Sequence, residues 1–150
     1  MLRVSFKKIH EHAKLPLYAS THAVGADLYC IENFVLPVGA VRPTIVPTGL
    51  ELADISTEFE LQIRPRSGLA SKGIIVVNSP GTIDPDYRGE IKVIMMNLSG
   101  VEQSFRQGDR IAQLVISRFS KLYFEFTQEG TTTERGSGGF GSTGISEVKS

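Results

Sequence analysis

The sequence predicts an all-β fold: a sandwich, jelly roll or barrel. Three observations carry this expectation. No window of helix length keeps a 3.6-residue apolar period. Short β-patterned segments recur instead, punctuated by Gly and Pro. One of them, Glu58 to Arg64, alternates strictly, with Phe59, Leu61 and Ile63 on one face.

The segments follow in order. Arg3 to Ile9 alternates apolar and polar. Val24 to Ile31, Phe34 to Leu36 and Val41 to Val46 come next, broken by Pro37, Pro43 and Pro47. Gly49 to Leu52 reads as a separate short strand. After Glu58 to Arg64, Ser67 to Gly73 is the one plausible helical turn, stopped by Gly73. Ile74 to Val77 and Ile91 to Met96 are β-branched and apolar runs. They read as strands joined by a hairpin-like excursion, Gly81 to Glu90. Val101 to Phe105, Arg110 to Phe119 and Leu122 to Phe126 complete the set.

The excursion is rich in chemical groups. Asp86 opens a four-residue stretch ending in Gly89, the preference of a type I turn, so Asp86 has a structural task available. Asp84 precedes Pro85, which biases it to extended backbone and gives it no such task. If one carboxylate does chemistry, the sequence favours Asp84.

The chain has 150 residues, one ordinary domain, and 41% hydrophobic content, enough for a core. Sixteen basic and sixteen acidic residues cancel, against a general nucleic-acid or membrane-surface binder. Cys30 is the one cysteine, so no intramolecular disulfide forms, and it reads as a small buried hydrophobe rather than a nucleophile. No secretory signal or membrane-length apolar run is visible. A cytoplasmic protein is the default expectation, with nuclear or organellar forms left open. His10, His12 and His22 lack further ligands at zinc spacing and read as surface or packing residues.

Residues 1–130 are expected to form the core and residues 131–150 a flexible C-terminal arm. Gly130 to Gly144 holds six of the fifteen glycines and little apolar content. Taken alone it reads as a disordered tail. Against that, Arg135, Phe140, Ser142 and Thr143 form a phosphate-and-aromatic set on backbone free to approach a ligand closely. The arm matches G-x-G-x-x-G twice, yet only six residues follow Gly144, too few for the helix and acid of a dinucleotide fold. Arg64-Pro65-Arg66-Ser67-Gly68 puts two guanidiniums and a hydroxyl where a strand ends and a helical turn begins, a place suited to phosphate. Gln113 is polar within the apolar run Ile111 to Val115; an outward residue and a ligand-facing amide are both open. Asp109 and Arg110 are expected to pair with each other.

Five stretches stand in order along nearly the whole chain: Ala23 to Leu28, Arg64 to Ala70, Gly81 to Glu90, Gly108 to Leu114 and Arg135 to Gly144. Together they resemble the motifs of the trimeric dUTPase family. Ala26 replaces a tyrosine common in the first, and Pro80 stands where a small residue often lies. The resemblance implies a jelly-roll, β-clip-like homotrimer whose active sites lie between subunits. It implies hydrolysis of dUTP to dUMP and pyrophosphate, which keeps uracil out of DNA and supplies dUMP for thymidylate synthesis. In it, Asp84 looks like the carboxylate that positions the attacking water, and Tyr87 like the ring under the deoxyribose. Asn78 and Gly81 look like the uracil-reading hairpin, and Arg66, Ser67, Gly68 and Gln113 like phosphate-binding groups. Phe140 looks like the aromatic on uracil, with Arg135, Ser142 and Thr143 at the phosphates and Gly141 a further substrate-binding residue of the closing arm. Mg²⁺ is implied as cofactor, held through phosphates and waters, with Asp27 near its water shell or the interface. A dCTP deaminase-like enzyme and a non-catalytic nucleotide-sensing relative share the fold and stand as alternatives.

Overall fold

β-Branched and aromatic residues at alternate positions make strands here because each pleat sends one side chain inward and the next outward. The computed structural model describes residues 2–39 and 42–139. In order they form β1 (Ser5–Lys8), β2 (Leu17–Tyr18), β3 (Ala26–Tyr29), β4 (Phe34–Leu36), β5 (Thr44–Asp54) and β6 (Phe59–Arg64). Then come α1 (Ser67–Ala70), β7 (Ile74–Val76), β8 (Gly81–Ile83), β9 (Glu90–Asn97), β10 (Gln103–Phe105) and β11 (Arg110–Arg118).

The strands build one sheet in the order β1-β5-β9-β7, a second in the order β2-β3-β11-β6-β8, and a small β10-β4 pair. Inward residues of all three share one core, including Leu28, Leu61 and Leu114 from one large sheet and Leu52, Val93 and Met95 from the other. Phe34 and Phe105 stack at 4.7 Å across the small pair. The alternation of β9 is clean: Ile91, Val93 and Met95 are buried, while Glu90, Lys92 and Ile94 turn outward. That outward row matters for the site.

Two expectations about the large sheets change. The segments read at Val41 to Val46 and Gly49 to Leu52 merge into one strand, β5, which begins at Thr44 and runs through Pro47 and Gly49; Val41 lies outside the described residues. It does so by bulging. Between the pairs Pro47↔Lys92 and Glu51↔Glu90, β5 advances four residues while β9 advances two. A bulge is where a strand tolerates a proline and a glycine with φ of 67°. The ladder bonds lost there are replaced by side chains. Thr48 Oγ1 donates to Ile91 O at 2.6 Å, and Glu90 Oε1 accepts Gly49 N–H at 2.9 Å. The excursion between β7 and β9 also contains a strand, β8, which leaves their sheet and pairs with β6 in the other.

The chain divides into residues 1–120 and residues 121–150. All described strands lie in the first unit. In the second, the strand expected over Leu122 to Phe126 does not form, because no neighbouring strand supplies it with a ladder. Leu122, Tyr123, Phe124 and Phe126 are all exposed. No helix among the described residues is long and apolar enough to cross a membrane.

Candidate active site

A cleft of about 250 Å³ opens between β8, the loop after it and the outward row of β9. Asn78, Gly81, Thr82, Asp84, Tyr87, Glu90 and Lys92 all line it, so the cleft gathers the predicted Asn78, Gly81, Asp84 and Tyr87. The loop closes differently from the sequence expectation. Tyr87 N–H donates to Asp84 O at 3.1 Å, so the turn is Asp84-Pro85-Asp86-Tyr87. Pro85 then occupies the second position, where its fixed φ favours the turn, and Asp86 the third rather than the first. Asp84 therefore holds the turn with its carbonyl. Its carboxylate is exposed and makes no hydrogen bond among the described residues.

The Tyr87 ring is fixed from two sides. Its hydroxyl donates to Glu90 O at 3.0 Å. A Cβ at Gly89 would fall 2.6 Å from Tyr87 Cζ, so only glycine lets the ring lie there. Arg88 braces the same loop by donating Nη1 to Pro85 O at 2.8 Å and to Tyr87 O at 2.9 Å. At the other wall, a Cβ on Gly81 would approach Asn78 Nδ2 at 3.1 Å, so this backbone lies close against the Asn78 amide.

A second cluster forms where β3, β6 and β11 meet. Asp27 is 8% exposed, and both its oxygens are engaged. Oδ1 takes Arg66 Nε at 2.9 Å and Oδ2 takes Arg110 Nη1 at 3.1 Å. Arg66 Nη1 also donates to Arg110 O at 3.2 Å. Arg66 Nη2 has no protein acceptor among the described residues. Arg110 thus pairs with Asp27 and not, as expected, with Asp109, whose carboxylate accepts Arg106 N–H at 2.7 Å. The reason is register: β11 runs beside β3, which brings Arg110 to Asp27, while Asp109 closes its own turn. Gln113 stands opposite Asp27 on one side and Arg64 on the other. Its Nε2 donates to Pro65 O at 2.8 Å, and its amide fills the space above Gly25. Ser67 and Gly68 are exposed at the start of α1, whose N-cap is Arg66 without a side-chain cap bond.

The two clusters do not meet within one chain. Ile63 pairs with Gly81 and Leu61 with Ile83. Asp84 therefore leaves one end of the β6–β8 ladder and Arg66 the other. Arg64 and Asp84 are four residue steps apart along it, about 13 Å at strand spacing, and Arg66 lies further on.

In the second unit, Arg135 is described and Nε donates to Gly138 O at 2.9 Å, beside a Thr133–Gly136 turn. Phe140, Gly141, Ser142 and Thr143 lie outside the described residues. Among the described residues no group of three or more His, Cys, Asp or Glu is placed to hold a metal directly. The donors present do fit a hydrated Mg²⁺ carried by a substrate. Asp84 offers an unpartnered carboxylate to metal-bound water, whereas both Asp27 oxygens already accept from guanidiniums. The sequence missed Arg110, Glu90 and Lys92; only the outward alternation of β9 pointed to the last two.

The model of the dUTPase family matches residues 11–144. The chain is 49% identical to the deoxyuridine 5′-triphosphate nucleotidohydrolase of Wolinella succinogenes, over 97% of this chain and 96% of that one. It is 47% identical to the protein of the same name in Rickettsia felis, over 95% and 97%. Among solved structures it resembles a mutant Staphylococcus bacteriophage 80alpha dUTPase with dUpNHpp, with TM-score 0.85, 22% identity, and coverage of 95% and 99%. A mutant dUTPase of phage phi11 of S. aureus, described with a structural Mg(II) ion, matches with TM-score 0.75 and 20% identity over 87% and 99%. The all-β, multi-sheet architecture is that of the dUTPase jelly-roll structures, and by the family model and these near full-length relatives this chain belongs to the dUTPase family.

Proposed function

We propose that the protein hydrolyses dUTP to dUMP and pyrophosphate, in sites shared between three copies of the chain. One observation carries the reading. The exposed Asp84 carboxylate stands in the cleft with Tyr87, while Arg66 and Gln113 lie beyond the opposite end of the ladder. The two groups leave opposite ends of one ladder, which supports a site in which a second copy supplies the guanidinium to the first copy's cleft.

The roles follow from the groups. Asn78 and the backbone near Gly81 read the uracil edge. A cytosine there would leave donors and acceptors unpaired, a mismatch worth factors of about 10⁴. Tyr87 lies under the deoxyribose and leaves no room for a 2′-hydroxyl. Asp84 orients a water and takes its proton as the water oxygen bonds to the α-phosphorus and pyrophosphate leaves. Arg66, held by Asp27, presents its free Nη2 to phosphate oxygens. Ser67, Gly68 and Gln113 complete that end. Mg²⁺ bound to the triphosphate supplies further charge neutralisation, with Asp84 the residue that would meet its water shell. The arm from residue 131, bearing Arg135, Phe140, Gly141, Ser142 and Thr143, closes over the substrate and excludes water.

The test is pyrophosphate release from dUTP, dTTP, dCTP and UTP, with and without Mg²⁺. Release from dUTP alone, dependent on Mg²⁺, is expected. Ammonia from dCTP would instead favour a deaminase, and binding without turnover a sensing relative. Removal of the chain from Arg135 onward is expected to leave a folded trimer with little activity.

A further inference from the structure

We infer that Glu90 is a positioning residue for sugar selection, acting through Tyr87. The inference rests on the proposed place of Tyr87 against the deoxyribose and adds to it the group that holds the ring.

Among the described residues the Tyr87 hydroxyl is anchored to one acceptor, the carbonyl of Glu90, at 3.0 Å. Glu90 is the first residue of β9. A strand end beside a bulge is a weak anchor, because the ladder that would fix its backbone is interrupted. β5 is interrupted there, between Pro47 and Glu51. Two side chains span the gap: Thr48 Oγ1 donates to Ile91 O at 2.6 Å, and the carboxylate of Glu90 holds the Gly49 end. Glu90 Oε1 accepts Gly49 N–H at 2.9 Å, and its Oε2 lies 3.4 Å from Lys92 Nζ. The Gly49 end is rigid: a Cβ at Gly49 would fall 2.8 Å from His10 Cβ and 2.9 Å from Ala13 Cβ, and Gly49 O accepts Ile9 N–H at 2.9 Å. One residue therefore connects the tyrosine hydroxyl, through its carbonyl, to the packed β5 bulge, through its carboxylate.

The carboxylate's charge is not what this role uses. Glu51 stands directly opposite Glu90, and like charges in that position repel. Lys7 and Lys92 each offset one of the two. An uncharged acceptor of the same length serves the Gly49 N–H equally well. Loss of the acceptor leaves the start of β9 held only by its pairing with Glu51 and by the Thr48–Ile91 bond, lets the tyrosine ring move, and opens space beside the 2′ position. The expected consequence is weaker rejection of UTP, with the rate on dUTP less affected.

The experiment compares kcat/KM for dUTP and for UTP in the full chain. Glu90→Gln is expected to keep the parent dUTP:UTP ratio. Glu90→Met, which keeps length but not the acceptor, and Tyr87→Phe, which removes the donor, are each expected to lower it about tenfold. Because both act on one connection, the double variant should fall no further than either single one. If Glu90→Met does not fold, Glu90→Asp, whose shorter stem withdraws the acceptor, carries the same expectation. A ratio unchanged in the Glu90 variant, or multiplicative losses in the double variant, overturns the inference. Selectivity lost in Tyr87→Ala but kept in Glu90→Met or Tyr87→Phe overturns it alone. Undiminished selectivity in Tyr87→Ala overturns the reading of Tyr87 together with it.

Discussion

Asp27 holds Arg66 by a 2.9 Å bond from Nε to Oδ1, inside a carboxylate whose second oxygen belongs to Arg110. Replacing Asp27 by Ala releases Arg110 and leaves Arg66 only its Nη1 bond to Arg110 O. Misplaced by an ångström, a phosphate-binding group loses on the order of 10²-fold in rate. Asp27→Ala is therefore expected to lower kcat/KM for dUTP by about that factor. The Mg²⁺ concentration giving half-maximal rate should stay unchanged. A titration of rate against Mg²⁺ checks this, and a large shift would return Asp27 to the metal shell.

Asp84 has a free carboxylate, so its amide variant loses a base without losing a structural bond. Asp84→Asn is expected to bind a non-hydrolysable dUTP analogue normally, by calorimetry. Its turnover should fall by about 10²–10⁴-fold. A parent-like rate would remove Asp84 from the chemistry.

Gly25 lies beneath the Gln113 amide, where an added Cβ would come 2.8 Å from Gln113 Cδ. Gly25→Ala must push that amide away from Pro65 O. KM for dUTP is expected to rise about tenfold, ~1.4 kcal/mol, in steady-state kinetics. The thermal midpoint should move little, because the displaced side chain can turn outward.

Burial raises the Cys30 thiol pKa above its ordinary value of 9.0, and its Sγ–H donates to Arg106 O at 3.1 Å. The folded state thus disfavours the thiolate. The resulting stabilisation is complete below 9.0 and is lost as pH rises through the higher folded value. In urea titrations from neutral to alkaline pH, the parent should lose stability that Cys30→Ala does not lose, so the gap between the two should narrow.

The strand segments were legible because alternation is local: Phe34–Leu36 appears as read, and β6, β9 and β11 differ from their segments only at the ends. The helical turn after Arg66 was legible from Gly73, whose φ is 82°. Three features were not local. The continuity of β5 depends on Thr48 and Glu90 replacing ladder bonds across a bulge, which no window along the chain reveals. The departure of β8 to the other sheet depends on β6 having an open edge. Arg110 was assigned to its sequence neighbour, when the register of β11 against β3 gives it to Asp27. At the site, Asp84 and Tyr87 could be read as neighbours from one loop. That Arg66 faces away from them could not, since it follows from the pairing of Ile63 with Gly81.

The sealed sulfhydryl at Cys30 leaves the molecule without a reactive thiol on its outside. A cysteine placed at exposed Thr82, on the cleft wall, would then be the sole site for a maleimide dye under native conditions. A fluorophore there would report nucleotide entry and release directly, with no other residue altered.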